Sequence, residues 1–358
     1  MTAQINAAVI GARGVGVSHV VALRATPGVE VTMIVGSTAQ SAEAAAKALG
    51  VPSWSADWSD AVADESISAV HICTPNNLHF PIATAALASG KHVICEKPLA
   101  VDASQAAHLV ELARTRRGQL AVLGYKYRYC PLIQLLREQI LSGRIGHVHD
   151  IRGTYLQNWM LEPDASSWRR DPILGGIARV MLDIGTHLMD LMETVLTQRI
   201  TRLQGQMFGL EGGSTATGLP GSLPGAGADG AHLLLQFELG TSGVAALSQV
   251  SSAYGHALSL ELDGSAATAR WTLDVGETLT ISDAKGNGRP RLAGQADHAT
   301  TGQFWSSASA PDELLIPLLR DAYARIGEPI EAGHGINGAT PSPTFEDGFR
   351  HIVLIDTL

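Results

Sequence analysis

The chain has 358 residues, 45% of them hydrophobic and 16% charged, with a formal net charge of −9. Its length is more than one core supports and predicts two domains, and its apolar content excludes a disordered chain. The acidic balance, with no basic run or basic helix, excludes nucleic acid and an anionic membrane as the main partner and leaves small molecules.

The first residues lack the basic-then-apolar pattern of a signal peptide, and no apolar run is long enough to span a bilayer, so the expected location is the cytoplasm. Cys73, Cys95 and Cys130 have no metal-like spacing and are expected to be reduced thiols, with no metal site. Ala7 to Ile10 is a short apolar strand running into Gly11-Ala12-Arg13-Gly14-Val15-Gly16, and Ser18 to Ala25 follows as a helix. A dinucleotide-binding fold uses this order to aim backbone amides and a helix N-terminus at a pyrophosphate. Against the G-x-G-x-x-G fingerprint, Gly11 and Gly16 match the first and third glycines, while Arg13 replaces the second.

Val29 to Val35 is the next strand. It ends in Gly36-Ser37-Thr38, where an NAD-selective site places a carboxylate for the ribose 2′-hydroxyl. With no acid to repel a 2′-phosphate, two hydroxyls to donate to one and Arg13 to add charge, the expected cofactor is NADP(H) rather than NAD(H). Ala39 to Leu49 reads as a helix stopped by Gly50, and Ser53 to Asp64 as a connector. Ala69 to Cys73 is a strand ending in Thr74-Pro75-Asn76-Asn77-Leu78-His79, Pro81 to Ala88 a helix, and His92 to Cys95 a strand ending in Glu96-Lys97-Pro98. This alternation predicts parallel crossovers, so the glycine turn, Thr74 to His79 and Glu96-Lys97 should line one edge of one sheet. His71, in mid-strand, reads as structural.

Asp102 to Arg117 is a helix capped by Asp102, and Gln119 to Gly124 a strand, after which the domain boundary falls: 1–124 and 125–358, with the last helix able to pack back. Tyr127 and Arg128 follow that strand as substrate candidates. Leu132 to Ser142 reads as a helix, and Val148 to Trp159 as an alternating strand with Tyr155, Gln157 and Trp159 on one face. Ser166 to Gly176 reads as a loop and Ile177 to Leu196 as a helix. Asp183 and His187 are then expected on one helical face, about 5–6 Å apart at Cβ. From Gln204 the pattern turns to strands (Leu233–Phe237, Gly243–Val250, Ala257–Leu262, Thr268–Leu273, Thr278–Ser282), a largely antiparallel sheet with a flexible loop at Gly212 to Gly230. Asp312 to Arg325 and Phe345 to Asp356 are the closing helices.

Gly11 to Gly16 with His19 three residues on, Ala69 to His79, Gly90 to Leu99 and Asp183-Ile184-Gly185-Thr186-His187 together resemble the Gfo/Idh/MocA family, the glucose-fructose oxidoreductase and inositol dehydrogenase group. The resemblance spans nearly the whole chain. It implies an α/β fold: an N-terminal Rossmann dinucleotide-binding domain and a C-terminal α/β domain with a large open, mostly antiparallel sheet that mediates a homodimer or homotetramer. The implied reaction is reversible hydride transfer between a secondary alcohol of a sugar, sugar derivative or cyclitol and NAD(P). By the same likeness Lys97, Asp183 and His187 form the catalytic group. Thr74, Pro75, Asn76, His79, Glu96 and Lys97 join Gly11, Ala12, Arg13, Gly14, Val15, Gly16, Gly36, Ser37 and Thr38 around the cofactor. Two alternatives on the same fold are glycoside cleavage assisted by a retained cofactor and a non-catalytic cofactor-binding regulator.

Alcohol oxidation needs a base at the hydroxyl and a cation nearby, and His187 is the better base because an imidazole titrates near neutrality. Lys97 would polarise the oxygen or relay its proton, and Asp183 would orient the imidazole or bind a second hydroxyl. Trp159 and Trp168 are candidates to stack on a sugar ring or the nicotinamide, with Arg169, Arg170, Tyr155 and Gln157 as polar partners. Trp168 and Arg169 are assigned to the cofactor, and Tyr127, Arg128, Tyr155, Gln157 and Trp159 to the substrate.

Overall fold

A computed structural model of the chain describes residues 4–11, 13–116, 118–161, 168–176, 178–209, 228–274, 276–283, 290–292, 311–326 and 342–358. Ala12 and most of the loop expected at Gly212 to Gly230 lie outside these residues. The chain forms two units that divide after Lys126, two residues beyond the expected boundary, and Pro311–Ile352 groups with the N-terminal half rather than with 125–358.

The first unit begins β1 (Ile5–Ile10), α1 (Val15–Arg24), β2 (Val29–Val35), α2 (Ala39–Leu49), β3 (Ser53–Ser55) and α3 (Trp58–Ala63). It continues with β4 (Ala69–Ile72), α4 (His79–Ala88), β5 (His92–Cys95), α5 (Ala103–Thr115) and β6 (Ala121–Leu123). Thus β3 and α3 occupy the stretch expected to be a plain connector. The strands pair in parallel in the order β3-β2-β1-β4-β5-β6. Ala7–Ile10, Ala69–Ile72 and Val93–Cys95 are buried throughout, the near-continuous apolar reading of strands covered on both faces. Because β1, β4 and β5 are adjacent and parallel, their C-terminal ends share one sheet edge, and the strand order reverses between β1 and β4, where such sheets bind ligands. Local signals set the helices: Gly50 closes α2 in the left-handed conformation (φ 60°), and the Asp102 side chain accepts from Gln105 N at 2.8 Å to cap α5.

The second unit holds α6 (Pro131–Leu141), β7 (Val148–Gln157), α7 (Pro172–Gly175), α8 (Thr186–Leu196), β8 (Ile200–Phe208), β9 (Gly230–Phe237), β10 (Ser242–Ser248), β11 (His256–Gly264), β12 (Ala267–Leu273), β13 (Glu277–Asp283) and β14 (Pro290–Leu292). Its sheet runs β14-β13-β12-β11-β7-β10-β9-β8. Every neighbouring pair is antiparallel except β7 and β10, whose parallel register puts Ser248 opposite Leu156. The C-terminal ends of both strands therefore meet at one edge, together with the starts of β9 (Gly230 opposite Ser248) and β11 (His256 opposite Gln157). Helix α8 lies against β7 at Gly153, where an added Cβ would collide with Met192 and stand 3.1 Å from Leu188 Cδ1.

Three sequence expectations change here. Trp159 is not on β7 but opens a 3-10 turn, Trp159–Leu161. The described part of the expected Ser166–Gly176 loop contains a 3-10 turn, Trp168–Arg170, and the single-turn α7. The expected regular helix from Ile177 is interrupted by a π-turn, Met181–Gly185, in which Thr186 N–H bonds to Met181 O.

The chain returns to the first unit through α9 (Leu315–Ala324) and, as far as Ile352, α10 (Phe345–Ile355). Asp312 precedes α9 and accepts from Ser18 Oγ and Lys126 Nζ, both at 2.5 Å. Leu123 N donates to Pro343 O at 3.1 Å and Val122 bridges Thr344, covering the open edge of β6. No helix among the described residues is long and apolar enough to cross a membrane.

Candidate active site

In the first unit the functional candidates gather where β1, β4 and β5 end. Gly11 (φ 109°) and Gly14 (φ 52°, ψ −119°) adopt conformations that only glycine takes readily. A Cβ on Gly11 would strike the Cys73 carbonyl and one on Gly16 the Gly11 carbonyl, so both are required for close packing. Gly14, not residue 13, supplies the remaining freedom. It stands at the N-terminus of α1, which no side chain caps, and a Cβ there would meet open space. Arg13 beside it is exposed.

After β4, the Thr74 Oγ1 and Asn77 Oδ1 atoms are buried with no hydrogen-bond partner among the described residues. Buried oxygens left in that state cost about 1–3 kcal/mol each unless a ligand satisfies them. Together with the uncapped helix start and the glycine turn, they fit a bound dinucleotide. His79 plays a different part from the expected cofactor contact. Its Nδ1 lies 2.6 Å from Pro98 O and its Nε2 3.1 Å from Thr74 O, tying the β4 loop to the β5 loop. Burial lowers its pKa against the raising effect of those carbonyls. Pro75 leads into the 3-10 turn Asn76–Leu78, with Asn76 buried.

At the end of β2, Gly36 lies against α2, where a Cβ would be 2.8 Å from Ala42 N. The Thr38 hydroxyl accepts from Ser41 N and donates to Ser41 Oγ, so it is the cap of α2 and not the free donor expected for a 2′-phosphate. Ser37 remains exposed. At the end of β5, the buried Glu96 carboxylate accepts from His19 Nε2 at 3.1 Å. Burial raises its pKa, but the hydrogen bond and electrostatic attraction of the His19 N–H, then Lys126 and Lys97, outweigh that and hold it below the ordinary glutamate range. Gly124 leaves room for this carboxylate, since a Cβ there would be 2.7 Å from Oε1. Lys97 follows, half-buried, with a cis bond to Pro98.

In the second unit the candidates gather at the joint edge of β7 and β10. Asp183 sits in the middle of the π-turn, a feature often found at functional sites. Gly185 allows that turn to approach β10, where its Cβ would be 3.0 Å from Leu247 Cδ1. Asp183 Oδ1 accepts from Arg169 Nε at 3.2 Å and Oδ2 from Gln249 Nε2 at 2.7 Å. Gln249 is itself oriented by the buried Arg179, whose Nε donates to Gln249 Oε1 at 3.2 Å and whose Nη2 bonds to Asp229. Arg169 also lies over the Trp168 ring, its guanidinium carbon 4.4 Å from the centroid, so the Trp168–Arg169 pair leads to the Asp183 carboxylate.

The His187 imidazole is buried edge-on to the Tyr127 ring, with centroids 4.9 Å apart. Tyr127 OH lies 3.0 Å from Tyr155 OH and 2.9 Å from His256 Nε2. Gln157 Nε2 reaches Tyr155 OH and His256 Nδ1, both at 3.3 Å, and Gln157 Oε1 accepts from Trp159 Nε1 at 2.8 Å. The indole is a donor only, which fixes the orientation of that amide. Burial pushes the Tyr155 phenol well above its ordinary pKa. The structure therefore joins Tyr127, Tyr155, Gln157 and Trp159 in one polar chain beside His187. It does not join Arg128 to them: that guanidinium is buried on Asp190, with Nε 2.9 Å from Oδ2 and Nη2 2.5 Å from Oδ1, which makes it a packing pair rather than the expected substrate contact.

His256, Gln249 and Arg179 went unnoticed in the sequence. Only strand pairing brings them to this edge, and no local motif marks them.

Residues 5–124 match the family described as "Oxidoreductase family, NAD-binding Rossmann fold", and residues 133–270 match the GFO/IDH/MocA C-terminal domain. Levoglucosan dehydrogenase of Pseudarthrobacter phenanthrenivorans is 27% identical over 98% of this chain and 94% of its own. Inositol 2-dehydrogenase of Leifsonia xyli is 34% identical over 43% of this chain and 45% of its own. Among solved structures, an oxidoreductase domain protein from Kribbella flavida is 27% identical with a TM-score of 0.83, covering 99% of this chain and 96% of its own. Levoglucosan dehydrogenase in complex with NADH and levoglucosan shares the fold, with 24% identity and a TM-score of 0.84 over 99% of this chain and 95% of its own.

Proposed function

The chain belongs to the Gfo/Idh/MocA oxidoreductase family, and on that premise we propose that it transfers hydride between a secondary alcohol of a sugar or cyclitol and a nicotinamide cofactor. Lys97, Asp183 and His187 are the catalytic group. The observation that carries this reading is the Asp183 carboxylate, held on both oxygens by Arg169 and Gln249 and four residues from a buried imidazole packed on Tyr127.

The nicotinamide, when bound, supplies the hydride acceptor or donor. His187 takes the alcohol proton in the oxidising direction and returns it in the reducing one. Lys97 polarises the alcohol oxygen with its charge, and Asp183, already receiving two donors, accepts from a substrate hydroxyl or orients His187. Tyr127, Tyr155, Gln157 and Trp159 present a rigid polar chain and an aromatic edge suited to a polyhydroxylated ring. Gly11 to Gly16, Ser37, Thr74 and Asn77 would hold the dinucleotide, and Arg13 would add positive charge to that site.

NADP(H) is preferred over NAD(H), because β2 ends without a carboxylate and Ser37 and Arg13 are exposed. The preference rests on one hydroxyl and one guanidinium, since Thr38 is engaged as a helix cap. Leu234 and Val244, paired on β9 and β10, are exposed apolar side chains of the eight-stranded sheet, and they support a second copy covering that face in a homodimer or homotetramer.

A panel of aldoses, inositols, anhydrosugars and glycosides, each assayed with NAD and NADP by absorbance, tests the reading. Net cofactor reduction with a free sugar or cyclitol is expected. Cleavage of a glycoside without net reduction would replace it with retained-cofactor chemistry, and cofactor binding without turnover across the panel would point to a regulator.

A further inference from the structure

Two histidines that the proposed reaction leaves idle lie in the interior of the first unit. His19, on α1, and His71, in the middle of β4, are both fully buried, with their Nδ1 atoms 2.8 Å apart. His19 Nε2 reaches Glu96 Oε1 at 3.1 Å, and His71 Nε2 reaches the Tyr323 hydroxyl, on α9, at 2.7 Å. The four side chains form an unbranched string from the residue before Lys97 to a helix that the chain adds only after passing through the second unit.

The protons on this string can be counted. Glu96 is an acceptor, so His19 Nε2 carries a hydrogen. Two bare Nδ1 atoms cannot face each other at 2.8 Å, so one of them must also carry one. If His71 donates, its Nε2 is bare and accepts from Tyr323, and all three bonds are made with both rings neutral. If His19 donates instead, it becomes an imidazolium. Neutral His71 must then turn its proton toward Tyr323, whose own buried hydroxyl hydrogen is left with no acceptor among the described residues. An orphaned buried donor costs about 1–3 kcal/mol, and the first arrangement avoids it. Burial, and secondarily the neighbouring His19, also holds His71 well below the ordinary histidine pKa and keeps it neutral.

We propose that His19, His71 and Tyr323 are positioning residues: Tyr323 fixes the tautomer of His71, His71 that of His19, and His19 holds the Glu96 carboxylate in place next to Lys97. The importance for turnover rests on the reaction proposed above; the direction of the string does not. The charged and titratable groups acting on Glu96 and His19 from neighbouring elements are Lys97, Lys126, Asp312, His79 and the Cys73 and Cys95 thiols.

Two measurements test this. In full-length protein labelled with ¹⁵N-histidine, two-bond ¹H–¹⁵N spectra at pH 8 are expected to show His19 protonated only on Nε2 and His71 only on Nδ1. Substitution Tyr323→Phe removes the hydrogen that keeps His71 Nε2 bare, so the Nε2-protonated tautomer of His71 should appear in that variant; a His71 that keeps its wild-type tautomer there overturns the role of Tyr323. In the wild-type protein, a proton on His71 Nε2, or a doubly protonated His19, overturns the proposal whether or not the protein turns over any sugar. In kinetics, His19→Leu should lower kcat about tenfold or more, as expected for losing a bond to a charged group. His19→Gln, which keeps a donor toward Glu96, should recover most of that with cofactor KM unchanged. Equal impairment of the two folded variants overturns the positioning role, and the spectra decide the matter if the leucine variant does not fold.

Discussion

Gln249 donates its amide hydrogen to Asp183 Oδ2 at 2.7 Å from the end of β10, 66 residues along the chain. The parallel pairing of β7 and β10 makes this possible, because it delivers Gln249 to the same edge as Gln157. A hydrogen bond to a charged acceptor is worth about 1.5–3 kcal/mol. Gln249→Ala is therefore expected to reduce kcat/KM by roughly 10-fold or more. Gln249→Glu should do more harm, by placing a second carboxylate on Asp183. Steady-state kinetics beside a melting curve will separate this effect from loss of fold.

His187→Ala removes the proposed base and the ring that packs against Tyr127. Turnover should fall by about 10²–10⁴-fold. Cofactor affinity, measured by fluorescence titration, should stay within about twofold, because the cofactor cradle lies in the other unit. Turnover equal to wild type would remove His187 from the mechanism.

Tyr127 has two separable contributions. Tyr127→Phe keeps the edge contact with His187 and loses the links to Tyr155 and His256, so KM for the sugar should rise about 3–10-fold with kcat little changed. Tyr127→Ala loses both and should depress kcat as well. His256→Ala should resemble Tyr127→Phe. If the two differ sharply, the polar chain does not act as one unit, and a Tyr127→Phe/His256→Ala double-mutant cycle will measure the coupling.

Cofactor choice should turn on Ser37. Ser37→Asp restores a carboxylate at the end of β2, where it would accept from a ribose hydroxyl and repel a 2′-phosphate. The ratio of kcat/KM for NADP to that for NAD should fall by at least about 10-fold, and Arg13→Ala should lower it further. An unchanged ratio in both variants would locate the discrimination elsewhere.

Stability should fall as the medium is acidified below neutrality. Burial, with the neighbouring His19 second, depresses the pKa of His71 well below its ordinary value, and burial also lowers that of His79. Below about pH 6.5 the unfolded chain takes up protons that these folded histidines refuse. The stabilisation is therefore complete above that pH and is lost as pH drops toward the folded pKa values, by at most about 1.4 kcal/mol per pH unit for each histidine. Urea midpoints followed from pH 7.5 to 5 should show this slope, and His71→Asn should flatten it even if the variant is less stable throughout.

The first unit was largely legible in the sequence because its signals are local. Glycines 11, 14 and 16 follow a buried strand, Gly50 and Asp102 terminate helices, and each apolar run of four residues ends in a polar cluster. What escaped depends on distance along the chain. His256 and Gln249 reach the Asp183–His187 region only through the pairing of β11 and β10 with β7, and Tyr323 reaches His71 across 252 residues. Arg128 looked like a substrate residue because it follows a strand end, yet a carboxylate 62 residues later, Asp190, claims it. Thr38 looked like a phosphate donor because it follows the carboxylate-free end of β2, yet Ser41, three residues on, engages its hydroxyl as the cap of α2.

The π-turn at Met181–Gly185 has a consequence for how this helix can change. A π-turn arises when an α-helix accommodates one surplus residue. Deleting Ile184 or Gly185 would let regular winding resume and leave Asp183 three residues from His187 instead of four, at a different angle around the axis, since each α-helical residue advances by about 100°. A point substitution in the same stretch leaves the count, and hence the angle, untouched. The geometry of the pair is thus encoded in a number of residues as well as in their identities. Mutational libraries made only of substitutions will not sample its loss; a single-codon deletion will.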